Sequence, residues 1–335
     1  MDKKRTYIVT GCTGYVGNVF AKKLLAEGCR VVGFARSRAK AERVFGDRAP
    51  FLVFGDIADA DALEACFAGE GPFTVLHTAA KVSIGESSGK ELHEVTVRGT
   101  QNVADACVRH GAKLLHISST EAIPRGVRLD EELHNYIPDP KRVRRGYART
   151  KSEADALVLR AVREQGLDAS LLLFASVLGP GDVSCGHMSQ MMIEYTAGRL
   201  PASVRGGYND FDIRDVADVL PAITERAKKG ECYLFAHEPD TIDEILSVIA
   251  EMTGRKKLHS LPLWTAYLGV PFLTLAAKIS GKRPLYTASA LAILRTNADF
   301  PIGKAQREFG YTPRPLAETV RDHVLYLAEQ GWVQL

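Results

Sequence analysis

A tyrosine and a lysine four residues apart are the two side chains of this sequence best suited to chemistry. Tyr147 and Lys151 would share one face of a helix, because residues at this spacing lie one above the other. The ammonium group would favour a phenolate and lower the pKa of the tyrosine from its usual value of about 10. Such a tyrosine can exchange a proton with a carbonyl and alcohol pair. The motif is short, so the interpretation needs support from the rest of the chain.

Three consecutive hydroxyl side chains precede this pair, at the end of an apolar run that predicts a strand. They belong to Ser118, Ser119 and Thr120. The carboxyl end of a parallel strand faces the binding crevice of an open sheet, so a hydroxyl there can donate a hydrogen bond to a substrate oxygen. The predicted strand end is uncertain by one residue, which leaves all three hydroxyls as candidates.

A glycine-rich stretch near the N-terminus predicts a site for a phosphate-containing ligand. Gly11, Gly14 and Gly17 occupy every third position between the apolar residues 7–9 and an apolar-faced helix. Glycine permits a tight turn and a close approach of the backbone to a ligand. The N-terminus of the following helix attracts anions. The order of strand, glycine turn and helix therefore predicts binding of a dinucleotide pyrophosphate.

The end of the second predicted strand indicates which dinucleotide is preferred. A carboxylate there binds the adenosine ribose hydroxyls, whereas a cation binds the 2′-phosphate of NADP. Residues 33–38 contain no acid but include Arg36 and Arg38, whose guanidinium groups suit phosphate, although they could also belong to a solvated loop. We therefore expect NADP, with NAD left open. Asp56 and Ile57 are expected at the adenine, unless Asp56 caps a helix.

Strand-like and helix-like patterns alternate through the first half of the chain. This predicts an α/β fold with a doubly wound parallel sheet, the Rossmann arrangement. We expect a dinucleotide-binding domain over 1–178 and a smaller, mostly helical substrate lobe over 179–335, partly interleaved with the sheet. The predicted strands are Thr6–Thr10, Arg30–Ala35, Pro50–Phe54, Phe73–Thr78, Lys113–Ser118 and Ala169–Phe174, and the predicted helices are Asn18–Glu27, Asp61–Phe67, Leu92–His110 and Tyr147–Gln165.

Motifs along nearly the whole chain resemble those of the extended short-chain dehydrogenase/reductases, the NAD-dependent epimerase/dehydratase superfamily. They begin with T-G-x-x-G-x-x-G at residue 10 and include S-S-T and Y-x-x-x-K. Within this superfamily the sequence is most similar to the branch of dihydroflavonol reductases and 3β-hydroxysteroid dehydrogenases. Further matching landmarks are His77-Thr78-Ala79-Ala80, Val97–Val103, Gly179–Asp182, Phe211–Ala217 and Lys304–Tyr311.

The resemblance implies a role for each of these site residues. Tyr147 would be the general acid/base, Lys151 would bind the nicotinamide ribose, and Ser119 would polarise the substrate oxygen. The residues implied in cofactor binding are Gly11, Thr13, Gly14, Tyr15, Val16, Gly17, Arg36, Arg38, Asp56, Ile57, Thr78, Ala79, Ala80, Tyr147, Lys151 and Val177.

Three departures from the family pattern affect the expected chemistry. Thr96 stands where many relatives have the asparagine that precedes V-x-G-T, which argues against an asparagine-based proton relay. Leu173-Phe174 and Ile123-Pro124 replace Arg-Pro and Tyr-Gly. We expect both pairs near the substrate pocket, where they argue against a nucleotide-sugar substrate.

Apolar residues of the second half predict a pocket for a bulky hydrophobic ketone or alcohol, with a steroid or flavonoid as the leading case. Methionine and aromatic side chains make adaptable apolar walls, although they could equally form the core of the smaller lobe. The uncharged segment 260–277 is interpreted as a lid or wall, with a membrane-surface contact as the alternative. The residues expected to contact substrate are Thr120, Met188, Met191, Met192 and Trp264.

The composition of the 335-residue chain argues against several other classes of partner. Its net charge of +3 is too small to indicate nucleic acid. The six cysteines form no C-x-x-C pair and the nine histidines no metal-binding spacing, so we expect a cytoplasmic protein without a metal. We expect no transmembrane segment. A homodimer is left open.

Three functions fit these observations. The first is an NADP(H)-dependent oxidoreductase, the second a nucleotide-sugar epimerase or dehydratase with tightly bound NAD, and the third a non-catalytic dinucleotide-binding sensor or scaffold. The complete set of Ser119, Tyr147 and Lys151 argues against the third. The missing pocket signatures argue against the second.

Overall fold

The computed structural model describes residues 4–69, 71–81, 89–144, 146–270, 291, 294 and 299–335. The chain divides into two units, each assembled from three segments. Unit 1 consists of Met1–Ala175, Arg214–Phe235 and Pro301–Thr312, and unit 2 consists of Ser176–Ile213, Ala236–Phe300 and Pro313–Leu335. The first change of unit lies three residues before the expected boundary at 178, and two later segments join unit 1.

The described residues contain eleven strands and the following helices. The strands are β1 (Thr6–Thr10), β2 (Arg30–Ala35), β3 (Phe51–Phe54), β4 (Phe73–His77), β5 (Lys113–Ser119), β6 (Ala169–Phe174), β7 (Ser176–Leu178), β8 (Ser203–Val204), β9 (Asp210–Asp212), β10 (Cys232–Phe235) and β11 (Ser260–Leu261). The α-helices are α1 (Tyr15–Ala26), α2 (Arg38–Phe45), α3 (Ala60–Glu64), α4 (Gly89–His93), α5 (Gly99–His110), α6 (Tyr147–Gln165), α7 (His187–Thr196), α8 (Ile213–Arg226), α9 (Ile242–Thr253), α10 (Gly303–Phe309) and α11 (Leu316–Glu329). Residues 263–270 are also helical, a π-helical turn covers Glu94–Arg98, and 3₁₀ turns cover Gly46–Arg48, Ala65–Phe67 and Thr120–Ala122.

A seven-stranded parallel sheet forms the centre of unit 1, which confirms the predicted doubly wound Rossmann architecture. Its strand order is β10-β6-β5-β4-β1-β2-β3. The order reverses between β1 and β4, so the carboxyl ends of these two strands border the crevice in which such sheets bind ligands. Every residue of β1 and of β6 is buried, as expected for central parallel strands covered on both faces.

Helix α6 carries the tyrosine and lysine of the predicted catalytic pair. It begins after Gly146, whose φ of +81° suits glycine, and ends at Gly166 in the left-handed conformation. Its buried face includes the small and apolar Ala148, Ala154 and Val158 and also two charged side chains, Lys151 and Asp155. Buried charges at this spacing need partners, so this face is more than a packing surface.

Unit 2 has two short parallel strand pairs, β7 with β9 and β8 with β11, and an apolar core between its helices. The core combines residues of α7, α9 and α11, and helical residues 263–270 pack against it through Leu263, Ala266, Tyr267 and Val270. Among the helices of the described residues, none is both long and apolar enough to cross a membrane.

Candidate active site

The glycine turn after β1 is a backbone conformation that other residues would disturb. Gly11 has a φ of +66°, and a Cβ added to it would lie 2.8 Å from the Cα of Ala79. A Cβ added to Gly17 would lie 2.3 Å from the carbonyl oxygen of Gly11 and 2.6 Å from the hydroxyl of Thr78. Glycine is therefore required for contact between the turn, α1 and the end of β4.

The start of α1 is arranged to bind an anion. Gly14 is its N-cap and supplies no capping side chain, and the first turn of the helix contains no acidic residue. Backbone N–H groups at a helix N-terminus combine with the helix dipole to favour phosphate. The glycine cradle and this helix end fit a dinucleotide, whose pyrophosphate residues 11–17 would hold.

The loop after β2 contains the two arginines expected at the adenosine ribose. Both Arg36 and Arg38 are exposed, and the guanidinium of Arg38 lies 4.4 Å from the centre of the Phe54 ring. Ser37 caps α2 by accepting a hydrogen bond from the backbone N–H of Lys40 at 3.2 Å. Arg38 is therefore held by an aromatic face, whereas Arg36 extends into solvent at the end of the strand.

Asp56 and Ile57 lie in the turn that follows β3. The Asp56 carboxylate accepts a hydrogen bond from the backbone N–H of Ala58 at 2.9 Å, and the cap of α3 is Asp59. The carbonyl of Ile57 accepts a hydrogen bond from Asn102 at 3.0 Å. Asp56 thus stabilises a turn rather than capping the helix.

The end of β4 is tied to β1 and α5 by a buried histidine. His77 lies 2.7 Å through Nδ1 from the Thr10 hydroxyl and 3.0 Å through Nε2 from the Thr100 hydroxyl. The Thr78 hydroxyl donates to the carbonyl oxygen of Thr10 at 2.6 Å. Burial holds the pKa of His77 well below its usual value, so the ring is neutral. These bonds set the position of Thr78 and Ala79 beside the glycine turn.

Ser119 and Tyr147 are brought together at the carboxyl end of β5. The Ser119 hydroxyl forms a hydrogen bond with the Tyr147 phenol and accepts one from the backbone N–H of Glu121 at 3.2 Å. Ser118, in contrast, points its hydroxyl at the buried carboxylate of Asp155, to which it donates at 2.6 Å. The geometry therefore favours Ser119 over Ser118 as the hydroxyl that faces a substrate.

The pKa of Tyr147 differs from the sequence-based expectation. Burial raises it above the usual value, the hydrogen bond with Ser119 acts in the opposite direction, and the charges of Glu121 and Asp155 raise it further. The expected lowering of this pKa was wrong, because burial, the largest influence on Tyr147, raises it. Tyr147 is therefore a protonated phenol at neutral pH.

Lys151 is buried beneath the same site. Its ammonium donates a hydrogen bond to the carbonyl oxygen of Ile117 on β5 at 2.7 Å. Burial lowers the pKa of Lys151 to about 8, and the negative charge of Asp155 acts in the opposite direction. Lys151 is therefore charged at neutral pH, although its pKa lies only a little above it.

A buried polar network behind this site was not anticipated from the sequence. Asp155 receives hydrogen bonds from Ser118, from the Tyr136 phenol at 2.5 Å and from His116 at 3.1 Å. The only signal was the spacing of Tyr147, Lys151 and Asp155, which places an acid on the buried face of α6. Its partners come from a strand and a loop, which no local pattern connects.

The two residue pairs that depart from the family pattern and were expected near the substrate lie in different surroundings. Leu173 and Phe174 are buried in the core of unit 1, where the Phe174 ring contacts those of Phe20 and Phe235. Phe174 nevertheless pairs in register with Ser119 on β5, so the expectation that Leu173-Phe174 lies near the substrate pocket stays a prediction. Ile123 follows the 3₁₀ turn after Ser119 and is partly buried.

The other residues predicted to contact substrate or cofactor lie partly in unit 2. Met188, Met191 and Met192 belong to its apolar core, which supports the alternative interpretation of these methionines as packing residues. The side chain of Trp264 is 65% exposed, and its contact with substrate stays a prediction. Val177 lies in β7, and Thr120 begins the 3₁₀ turn after β5. Residues 271–277 of the apolar segment lie outside the described part of the chain.

Two known proteins resemble this chain over nearly its full length. The curated "Sterol demethylase protein B" of Methylococcus capsulatus is 29% identical over 337 residues, which cover 98% of this chain and 100% of that protein. The "3 beta-hydroxysteroid dehydrogenase type 7" of Rattus norvegicus is 28% identical, with 98% of this chain and 95% of that protein covered.

A solved structure also matches the complete fold. The crystal structure of gox2253 superposes with a TM-score of 0.80 at 27% identity and covers 99% of this chain and 100% of that one. The model of the "NAD dependent epimerase/dehydratase family" matches residues 7–234, more than half of the chain and all of the site described in unit 1. The chain belongs to this family, and it is an NAD(P)-dependent enzyme of the extended short-chain dehydrogenase/reductase type.

Proposed function

We propose that this enzyme is an NADP(H)-dependent oxidoreductase that interconverts a ketone and a secondary alcohol on a bulky hydrophobic substrate. The observation that carries the proposal is the hydrogen-bonded pair of Ser119 and Tyr147, with Lys151 on the same face of α6. The pair lies at the carboxyl end of a strand that neighbours the glycine-turn crevice.

Ser119 and Tyr147 have different roles at the substrate oxygen. A bound nicotinamide supplies or accepts the hydride. Ser119 donates a hydrogen bond to the carbonyl oxygen, and Tyr147 transfers its phenolic proton to that oxygen as negative charge develops there. Because burial raises the pKa of Tyr147, the phenol is protonated before reduction begins. In the oxidation direction the deprotonated Tyr147 oxygen takes the proton from the alcohol as the hydride leaves its carbon.

The cofactor would be held along the carboxyl ends of β1, β2 and β4. The glycine cradle and the N-terminus of α1 would bind the pyrophosphate, and Lys151 would donate to the nicotinamide ribose. Arg36, with no acid in residues 33–38, supports NADP over NAD, because the guanidinium binds a 2′-phosphate through charge-assisted bonds.

The substrate class is inferred from the relatives and from the residues around the reacting hydroxyls. Both relatives described above carry sterol or steroid names. Ile123 and Pro124 follow the Ser119 turn and present apolar rather than hydrogen-bonding side chains there. A fused-ring ketone or alcohol, of steroid or flavonoid type, is the substrate that we propose.

A substrate panel tests this function directly. The purified enzyme should oxidise NADPH with steroid or flavonoid ketones and give little turnover with small ketones, as measured by absorbance at the nicotinamide band. A nucleotide sugar forms the comparison arm. Preferential turnover of that sugar, without net consumption of cofactor, would identify an epimerase or dehydratase instead. Absence of turnover on every substrate with intact cofactor binding would favour a sensor or scaffold.

Charge reversal at Arg36 tests the cofactor preference. Arg36→Asp should weaken NADPH binding by about 10-fold or more while changing NADH affinity little, because the lost contact is to the 2′-phosphate alone. Dissociation constants from nicotinamide fluorescence give the ratio. Arg43→Asp is the matched control, since Arg43 is also exposed on the same surface segment but lies at the other end of α2. Tighter binding of NADH than NADPH by the wild-type enzyme would contradict the proposal.

A further inference from the structure

The carboxylate of Asp155 is the centre of a completely buried cluster next to the catalytic pair. Its side chain has no exposed surface, and that of His116, which lies 3.1 Å away through Nε2, is 1% exposed. The hydroxyls of Ser118 and Tyr136 both donate to the second carboxylate oxygen, at 2.6 and 2.5 Å. The cluster therefore joins α6, β5 and the loop before α6.

The hydroxyls of Ser118 and Tyr136 donate to Asp155, and His116 faces it through Nε2, which donates in the tautomer protonated at that nitrogen. Burial lowers the pKa of His116, so its ring is neutral and carries its single proton on Nε2, facing Asp155. Nδ1 of His116 has no hydrogen-bond partner among the described residues, as suits the unprotonated nitrogen of that tautomer. The negative charge of Asp155 acts on Lys151, where it raises the pKa of the ammonium against the effect of burial.

Lys151 lies one helical turn before Asp155, about 6 Å along the axis. The ammonium makes its hydrogen bond to the Ile117 carbonyl, an uncharged group. Taking an ammonium out of water favours loss of its proton, and an opposite charge nearby restores it. Asp155 is placed to supply this opposite charge to Lys151.

The remaining ionisable groups around this part of α6 do not place a comparable negative charge next to Lys151. The thiol of Cys232 and the phenol of Tyr136 keep their protons, because burial raises the pKa of both. Glu121 lies at the active-site end, 4.0 Å from Arg144. Other titratable groups on the neighbouring elements include the neutral His77 of β4, the buried Cys107 of α5, His93 beside Glu153, and Arg98 paired with Glu94.

We infer that Asp155 is a positioning residue that keeps Lys151 in its ammonium form and fixes the end of β5 against the helix that carries Tyr147. The hydrogen bond from Ser118 adjoins Ser119, so the same carboxylate that holds the lysine proton also sets the register of the catalytic hydroxyl. The inference rests on the proposed function only through the role given there to Lys151.

The variant Asp155→Asn removes the charge but keeps the size of the side chain. Its amide oxygen can still accept from Ser118 and Tyr136, and its amide nitrogen can donate to His116 if that ring moves its proton to Nδ1. Ser118→Ala is the matched control, because it removes one hydrogen bond from the cluster and retains the charge. Lysine labelled with ¹³C at Cε reports the pKa of each lysine by NMR, and the signal of Lys151 is assigned by its absence from Lys151→Arg.

We expect the Lys151 signal of the wild-type protein to titrate at about 8. In Asp155→Asn the midpoint should fall by about one pH unit or more, because the attraction to the charged form is lost. In Ser118→Ala the Lys151 midpoint should change by only a few tenths of a pH unit. The pH above which NADPH affinity is lost should likewise be lower in Asp155→Asn than in the wild type and should change little in Ser118→Ala.

An unchanged Lys151 midpoint in folded Asp155→Asn would overturn the inference. The NMR titration needs no turnover, so a wild-type enzyme that reduces none of the tested ketones contradicts the proposed function alone. Should the single variant not fold, the combination His116→Leu, Ser118→Ala, Tyr136→Phe and Asp155→Leu removes every member of the cluster and leaves no buried group unpaired. The same downward shift is expected there, and its absence would again contradict the inference.

Discussion

Tyr147→Phe should lower turnover by about 100-fold or more while leaving cofactor affinity within a factor of about three. The substitution removes the hydroxyl that gives the substrate oxygen its proton and that bonds to Ser119, and it keeps the ring that packs against the site. Steady-state rates with the best ketone of the panel and NADPH titrations by fluorescence measure the two quantities separately.

The control for this experiment is a second tyrosine whose hydroxyl also makes one hydrogen bond. Tyr195 lies in unit 2 and donates to the carbonyl oxygen of Lys256 at 3.1 Å. Tyr195→Phe should retain near wild-type turnover with a small loss of melting temperature. If Tyr147→Phe kept the wild-type rate, the proton would have to come from another group and the mechanism would be wrong.

Gly17→Ala should weaken cofactor binding by about 10-fold or more. The new Cβ would meet the carbonyl oxygen of Gly11 at 2.3 Å, which is backbone and cannot rotate away. The turn must therefore shift, and the N–H groups at the start of α1 shift with it. Isothermal titration with NADPH measures the loss, and circular dichroism establishes how much of it accompanies a lower melting temperature.

Gly89 provides the matched comparison for this substitution. A Cβ at Gly89 meets no atom of the described residues within 4 Å, and the residue also stands at the beginning of a helix. Gly89→Ala should therefore leave both the affinity and the melting temperature unchanged. Equal behaviour of the two alanine variants would show that the close approach at Gly17 has no role in cofactor binding.

Local patterns predicted the central elements of the sheet well. The strands Thr6–Thr10, Arg30–Ala35 and Ala169–Phe174 and the helix Tyr147–Gln165 have the predicted bounds. These segments are mostly apolar or have a strong helical period, so their conformation follows from neighbouring residues. Strand β10 of the later half was missed because its four residues follow an irregular region and form a strand only by pairing with β6.

The parts of the site that could not be predicted depend on contacts between distant segments. Tyr136 reaches Asp155 from a loop without regular structure, and His116 reaches it from a strand whose pattern indicated only burial. For the methionines of α7, the sequence pattern favoured a binding role, whereas their contacts favour packing. Their composition fits a pocket wall or a core equally, and only the packing of α9 and α11 against them favours the core.

The alternation of segments between the units limits how this protein can be cut or recombined. A fragment ending at Ala175 would lack β10, which covers β6 at the margin of the sheet. Its last strand would then offer a free row of backbone donors and acceptors flanked by Leu171, Leu172 and Leu173, a surface that promotes aggregation. A gene shortened to the nucleotide-binding motifs would therefore encode an insoluble product, and domain exchange within this family has to transfer non-contiguous pieces together.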